Sequence, residues 1–260
     1  MKIFITTTLI ALTHSVCLSQ LAELTSNLQN IEKVAIEADY AEIKIIHHDK
    51  PVIEVRSIGT INNGEQDEHL QLTKKAKGSL LKISSEIKNY DDIPKLKTVY
   101  DKNENIVSQK EVTQWKGWKS YKEMKASRIQ IEDQVEVTHI IYVPKNVKIE
   151  IDATYGNVEF EGSISSSANL SSTYGHVECK LNEISAPLEA HSTYSCVDIA
   201  IPHTAKLDVA MDSQWGAYYT DLDLDYDQAQ NDDVMAKLNG GGSNLHLSSP
   251  YNNIYLRKVN

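Results

Sequence analysis

Residues 154–160 read TYGNVEF, and three later segments are near copies: TYGHVEC at 173–179, TYSCVDI at 193–199 and QWGAYYT at 214–220. The copies begin about 20 residues apart, a period typical of stacked repeat proteins. A repeat of this length cannot bury its apolar side alone, so neighbouring copies must cover one another. The repeated segments therefore predict a stack of similar coils.

Apolar residues alternate with polar ones on both sides of each aromatic residue. In the first copy, Ile149 and Ile151 precede Tyr155, and Val158 and Phe160 follow it. A period of two indicates a strand with one buried face, so each coil is predicted to be strand, turn and strand. The turn between the strands is Tyr-Gly or Tyr-Ser, and we expect a glycine there to take a positive φ. Parallel strands in register would lie about 4.8 Å apart and would align the aromatic rings as a ladder along one corner.

Two other segments have the same rhythm. Tyr251 lies between apolar alternations at 245–247 and 254–256, after a glycine bend at 240–242, and Tyr40 lies in the segment DYAEIKI at 39–45. We therefore predict an all-β protein, a single-stranded parallel β-helix (β-solenoid). Its predicted parts are a cap and first coil at 20–51, an irregular antiparallel excursion at 52–142 and regular coils at 143–260.

The first 19 residues have the pattern of a secretory signal peptide. Lys2 precedes an apolar run over residues 3–12 and small residues near 15–19, which favours cleavage after Ser19, with cleavage after Cys17 as the alternative. The residues before Cys17 are a poor match to a lipidation signal. No later stretch has the roughly 20 apolar residues that a spanning helix needs. We expect an exported protein without a transmembrane segment.

Net charge limits the classes of binding partner, and the number and placement of cysteines decide whether a disulfide can form. The net charge of −10 argues against nucleic acid and anionic membranes as partners. Beyond the signal only Cys179 and Cys196 remain, and aligning the coils places Cys179 opposite Ile199 and Cys196 in a turn. This separation of roughly 10 Å exceeds the ~7 Å Cα limit for a disulfide, so two free thiols are predicted.

The segment 115–122 (WKGWKSYK) concentrates aromatic and basic residues within the irregular region. Exposed aromatic faces stack on sugar rings and lysines attract anionic groups, so Trp115, Trp118 and Tyr121 are candidate ligand-binding residues. The alternative is that the three aromatic residues pack on the coils as ordinary structural side chains.

Acidic residues recur at one outward position of successive coils, namely Glu159, Glu178 and Asp198. In a parallel stack they would lie about 5 Å apart and repel unless a cation or protons relieve them. A solvated acidic face, a weak calcium site and a row of catalytic acids are all open interpretations. The chain has no nucleophile elbow and no phosphate-binding glycine loop, so we expect no enzyme activity and no cofactor.

Three features together resemble a bacterial family. They are the signal peptide, residues 140–149 (IIYVPKNVKI) leading into the first repeat, and residues 239–242 (NGGG) followed by 253–258 (NIYLRK). The chain resembles the adhesin-like β-strand repeat proteins, related to auto-transporter adhesins with a head GIN domain. The resemblance implies an exported right-handed β-helix in the periplasm, on the outer surface or secreted.

These features favour a non-enzymatic exported protein that binds glycans or cell-envelope components. The alternatives are a polysaccharide-active β-helix enzyme that uses the acidic row, and an envelope structural or signalling accessory that binds no ligand. An enzyme would need carboxylates and a basic residue converging in a cleft, whereas a binding module needs an exposed aromatic surface.

Overall fold

A computed structural model describes residues 19–112, 128–226 and 233–259. Its regular structure is β-strand, apart from three 3-10 turns at Asn62–Gly64, Asp67–His69 and Tyr90–Asp92. The strands, numbered in chain order, are β1 (Ser19–Asn27), β2 (Lys33–Ala38), β3 (Glu42–His48), β4 (Val52–Ile61), β5 (Leu70–Lys77), β6 (Leu80–Ile87), β7 (Lys95–Tyr100), β8 (Ile106–Val112), β9 (Ile129–Asp133), β10 (Val135–Pro144), β11 (Lys148–Ala153), β12 (Val158–Ile164), β13 (Ala168–Ser172), β14 (Val177–Ile184), β15 (Leu188–Ser192), β16 (Val197–Ile201), β17 (Leu207–Asp212), β18 (Tyr218–Thr220), β19 (Asp225–Tyr226), β20 (Val234–Leu238), β21 (Ser243–Ser248) and β22 (Ile254–Lys258).

Two large mixed sheets carry the fold. Sheet A has the order β1-β4-β10-β3-β12-β14-β16-β22-β18, and sheet B has the order β19-β20-β17-β21-β15-β13-β11-β2-β6-β5. A small antiparallel sheet C, β8-β7-β9, completes the described structure. The prediction of an all-β chain is confirmed. Parallel coils alone do not account for the sheets, because antiparallel pairs such as β1–β4, β5–β6 and β17–β20 extend them at both ends.

Six strand–turn–strand units stack parallel to one another within the described residues. In spatial order they are β2–β3, β11–β12, β13–β14, β15–β16, β21–β22 and β17–β18, the first strand of each in sheet B and the second in sheet A. The predicted alternation is confirmed, since residues such as Ile149, Ile151, Val158 and Phe160 are buried. These apolar faces belong to one core cluster that runs along the stack.

The spatial order of the units differs from their order in sequence. The repeats place Trp215 directly after Tyr194, but the structure inserts the last unit, with Tyr251, between them. The bend after β20 explains this insertion: Gly240 and Gly241 take φ values of +85° and +87°, which lets the chain pass over the start of β17 and enter on its other side. Strands β20 and β21 therefore flank β17.

The region 52–142 is built into the large sheets to a considerable extent. Strands β4 and β10 lie within sheet A, where β10 pairs parallel with β3 and antiparallel with β4. Strand β6 extends sheet B by pairing parallel with β2. Only β7, β8 and β9 form a separate sheet. A hairpin tip lies at 101–105, where the Asp101 carboxylate accepts backbone N–H groups of Asn103 and Asn105.

Candidate functional site

The turns of five parallel units align Tyr40, Tyr155, Tyr174, Tyr194 and Tyr251 into one stack. Tyr90, from the 3-10 turn Tyr90–Asp92, stacks on Tyr40 and extends it, and we call these six rings the tyrosine ladder. Ring centroids from Tyr40 to Tyr251 are 4.9–5.1 Å apart with interplanar angles of 5–14°. These distances match the spacing of strands in a sheet. The ladder expected from the repeats is therefore confirmed, except that Tyr251 takes the place predicted for Trp215.

The ladder is not a buried element. Tyr155, Tyr174, Tyr194 and Tyr251 are each 50–52% exposed, because neighbouring rings cover their faces and leave their edges in solvent. Trp215 is more exposed, at 71%. The outer surface of the ladder therefore presents ring edges and phenol groups, not open aromatic faces.

Buried serines join each turn to the next. The Ser172 hydroxyl donates to the Gly156 carbonyl at 2.8 Å and accepts the Gly175 N–H at 2.9 Å, and Ser192 donates in the same way to the Gly175 carbonyl. Ser213 and Ser249 also donate to turn carbonyls of the adjacent unit. In four of the six units a serine lies two residues before the aromatic residue, whereas Ala38 and Ala153 hold that position before Tyr40 and Tyr155. The sequence shows the position of these serines, but their role depends on the register of the stack.

The turn glycines are needed for a different reason from the one predicted. Neither Gly156 nor Gly175 has a positive φ, so the expectation of a left-handed turn is wrong. A Cβ on Gly175 would lie 2.2 Å from the Gly156 carbonyl oxygen, and one on Gly156 would lie 1.7 Å from the Ala41 oxygen. Close approach of successive turns therefore excludes a side chain at these positions.

Replacing Tyr174 with alanine is expected to lower the free energy of unfolding by about 1–2 kcal/mol. A fully buried ring would cost about 2–4 kcal/mol, but half of the Tyr174 surface is already in water. Chemical denaturation of Tyr174→Ala tests this value, with Tyr174→Phe as the control that keeps the ring. Equal unfolding midpoints for wild type and Tyr174→Ala would show that the rings do not stack in solution.

A cleft of about 620 Å³ opens at the Tyr90 end of the ladder. The ladder contributes Tyr40, Tyr90 and Tyr155 to its lining. Sheet C supplies Lys95 and Asp133, β3 supplies Glu42, and β10 supplies residues 135–138. We call this site the ladder cleft. Four other cavities in the described part of the chain are smaller, at about 380 Å³ or less.

Polar groups inside the ladder cleft form a connected network. The Lys95 ammonium lies 2.7 Å from the Asp133 carboxylate and 5.1 Å from the Tyr90 ring centroid. Burial raises the pKa of Tyr90 above its ordinary value, and hydrogen bonding to Asp133 raises it further. Burial likewise raises the pKa of Tyr40. Both phenols are therefore protonated at neutral pH and can donate hydrogen bonds.

Backbone geometry holds the cleft walls together. Gly59 on β4 takes φ +134°, and a Cβ there would lie 1.8 Å from the Glu136 carbonyl oxygen. The Asn157 amide donates to the Glu42 carboxylate at 3.1 Å, which orients that side chain at the cleft rim. Sequence analysis identified Tyr40 and Tyr155 but missed Tyr90, Lys95 and Asp133. These residues come from segments without a repeat, and only the tertiary fold brings them to the ladder.

The acidic row, which consists of Glu159, Glu178 and Asp198, forms as predicted, and two of its three members pair with cationic side chains. Glu159, Glu178 and Asp198 lie directly opposite one another on β12, β14 and β16. Lys44 lies 3.0 Å from Glu159, and Arg257 binds Asp198 through two nitrogens, one at 2.8 Å. These hydrogen bonds raise the pKa values of Lys44 and Arg257. Within the described residues no group of three or more His, Cys, Asp or Glu side chains is placed to hold a metal ion.

The remaining sequence candidates divide into two groups. Trp115, Trp118 and Tyr121 lie outside the described residues, as do residues 1–18 of the predicted signal peptide. Cys179 is opposite Ile199 and buried, Cys196 is partly buried, and both are free thiols as predicted. Burial raises the pKa of both thiols, so neither is an activated nucleophile.

No helix in the described ranges is long and apolar enough to cross a membrane.

Comparison with solved structures supports the fold. A crystal structure described as a "putative cell adhesion protein" from Clostridium sporogenes aligns with 93% of this chain and all of its own chain, at TM-score 0.55 and 10% identity. A "putative adhesin" from Bacteroides fragilis aligns over 92% and 96% of the two chains at 11% identity, but its TM-score of 0.22 is too low to indicate a shared fold. No protein-family model matches the chain. No curated protein matches its sequence significantly.

Proposed function

We propose that the protein is an exported, non-enzymatic, adhesin-like protein that binds glycans or other cell-envelope components. The observation that carries the proposal is the ladder cleft, where tyrosine hydroxyls and carboxylates converge at the end of an exposed aromatic stack. Binding clefts of this kind combine apolar walls with a few fixed polar groups. The export signal in the sequence and the adhesion name of the Clostridium structure are consistent with this assignment.

The geometry favours hydrogen bonding over ring stacking as the mode of recognition. Tyr40 is covered on one face by Tyr90 at 3.9 Å and on the other by Tyr155 at 4.9 Å. A sugar ring cannot lie flat on these faces without breaking the ladder. The Tyr90 phenol is already hydrogen-bonded to Asp133, so the Tyr155 phenol and the carboxylates of Glu42 and Glu136 remain to donate to and accept from sugar hydroxyls. The proposed ligand is therefore a polyhydroxylated chain lying across the cleft.

We also infer that the six parallel units are coils of a β-solenoid. In each unit the first strand lies in sheet B and the second lies in sheet A. The chain then returns to sheet B for the next unit, and adjacent units pair in parallel. Connections between parallel strands are right-handed in nearly all proteins, which favours the right-handed solenoid expected from the family resemblance. Such an elongated stack suits a protein that presents one continuous binding face.

The enzyme alternative rests on the acidic row, and the ion pairs of that row weigh against it. A catalytic acid needs a free carboxyl group in a cleft beside its substrate. Glu159 and Asp198 instead bind Lys44 and Arg257 on the outer face of sheet A. The acidic composition of the chain likewise supports a ligand other than nucleic acid.

A glycan array with matched variants tests the proposed function. Wild type is expected to bind a subset of glycans, and Tyr155→Phe combined with Glu136→Gln is expected to weaken binding about tenfold, the effect of losing one or two hydrogen bonds. Tyr174→Phe makes the same hydroxyl deletion one rung away from the cleft and should bind as wild type.

A second variant, with Trp115 and Trp118 replaced by alanine, distinguishes the two candidate surfaces. Loss of binding in this variant with unchanged binding by the cleft variant would move the site to the 115–121 segment. Absence of binding to every glycan and to isolated envelope fractions would reject the proposed function. Release of reducing ends from a bound polysaccharide would favour the enzyme alternative.

A further inference from the structure

Sheet B ends in edges of opposite charge. At one end, β5 carries Lys74, Lys75 and Lys77, all exposed; we call this the lysine edge. At the other end, β19 and the segment before it carry Asp221, Asp223 and Asp225, also exposed; we call this the aspartate edge. Both are the last strands of the sheet within the described ranges, so each leaves a row of backbone groups free to pair.

Several charged residues of the stack are paired across strands, whereas others, including four at its ends, are not. Lys33 pairs with Glu150, Lys44 with Glu159 and Lys82 with Glu37. Lys75 and Lys77 form no ion pair with any residue that the structure describes, and the same is true of Asp223 and Asp225. Among the residues that the structure describes, two cations and two anions without an ion pair therefore lie at opposite ends of the stack.

The aspartate edge also exposes apolar surface. Tyr226 and Met235, on neighbouring strands β19 and β20, are 57% and 50% exposed. Apolar groups at the end of a repeat stack are normally capped by polar residues. Their exposure beside unpaired aspartates indicates a surface that another molecule covers.

We propose that copies of this chain associate head to tail, with the lysine edge of one copy against the aspartate edge of the next. Charge complementarity between the two edges favours a second copy of this chain as the partner. Lysines on an edge strand repel a second lysine edge and prevent symmetric pairing, and two aspartate edges would repel in the same way. Only the unlike pair brings the cations to the anions. The contact is heterologous, so it builds a ring or an open fibre according to the rotation between copies.

Sedimentation velocity at increasing protein concentration measures this association directly. At about 20 mM salt the weight-average mass is expected to rise with concentration, and at about 500 mM salt to fall toward the monomer, because exposed charges are then screened over a few ångströms. A monomer at every concentration in low salt would overturn the proposal, as would association that does not depend on salt.

Charge-reversal variants test whether the two edges are the contact. Lys75→Glu with Lys77→Glu removes two cations that have no partner within the described chain. Asp223→Lys with Asp225→Asn alters the other edge; asparagine is chosen at position 225 because Asp225 lies opposite Lys237, where a second lysine would be repelled. Each double variant alone is expected to associate about tenfold or more weakly than wild type.

Mixing the two double variants should restore association, since the unaltered aspartate edge of one variant then meets the unaltered lysine edge of the other. The control Lys148→Glu with Lys180→Glu makes the same change in net charge on exposed residues of the central strands β11 and β14 and should associate as wild type. Unchanged association of both edge variants, or failure of the mixture to co-assemble while circular dichroism shows both folded, would overturn the proposal.

Discussion

Gly175→Ala is expected to lower the free energy of unfolding by about 3 kcal/mol, at the upper end of the cost of overpacking a rigid site. The added methyl group would lie 2.2 Å from the Gly156 carbonyl oxygen and 2.5 Å from its carbon, atoms of a backbone that is itself held by the Ser172 hydroxyl. Neither side of the contact is a flexible side chain, so relief requires separating two units of the stack. Chemical denaturation with circular dichroism measures the change.

Ser195 supplies the matched control for this prediction. It occupies the position equivalent to Gly175 in the next unit and already carries a Cβ, so Ser195→Ala should cost less than about 1 kcal/mol. An unfolding midpoint for Gly175→Ala equal to that of wild type would show that the turns are farther apart in solution. The comparison also tests whether glycine is required only where two turns approach closely, as at Gly175, or at this position of every unit.

Acidification is expected to remove about 3 kcal/mol of stability through His139 alone. This side chain lies between the sheets, with Nδ1 2.8 Å from the Ser57 hydroxyl of β4 and Nε2 2.8 Å from the Ser85 hydroxyl of β6. Burial lowers the pKa of His139 to about 4, whereas an unfolded histidine titrates near 6.5. The folded protein therefore holds this imidazole neutral over a range in which the unfolded chain protonates it.

The direction of the pH effect follows from that difference. The contribution is fully present above about pH 6.5, falls as the pH drops because the unfolded state binds the proton first, and is exhausted below about pH 4. Between about pH 7 and about pH 5 the expected loss is about 2 kcal/mol. Carboxylates titrate over part of the same range, so the measurement needs a variant in which only the histidine contribution is removed.

His139→Gln is that variant, because glutamine is polar and does not titrate. Its stability at neutral pH is expected to be lower than that of wild type, since the hydrogen bonds to the two serines will not be reproduced fully. Its loss of stability between about pH 7 and about pH 5 should be about 2 kcal/mol smaller than that of wild type. Identical pH dependence of the unfolding free energy in the two proteins would contradict a buried neutral His139.

The all-β class, the buried face of each repeat strand and the alignment of the repeat tyrosines were determined by local sequence. Alternation with a period of two decides which side of a strand is buried, and a parallel stack in register must then align equivalent residues such as Tyr155 and Tyr174. The same logic correctly placed Cys179 opposite Ile199 and Glu159 opposite Glu178. These features need only the pattern within one repeat and the assumption that repeats stack.

Tertiary structure decided everything that depends on which strands meet. The insertion of the Tyr251 unit before that of Trp215, the assembly of Tyr90, Lys95 and Asp133 beside Tyr40, and the burial of His139 between two serines all join segments far apart in sequence. The requirement for glycine at position 175 also depends on tertiary structure, because it comes from the short distance to the neighbouring turn and not from the φ angle of Gly175. Local periodicity specifies a buried face, but it does not specify the partner that covers it.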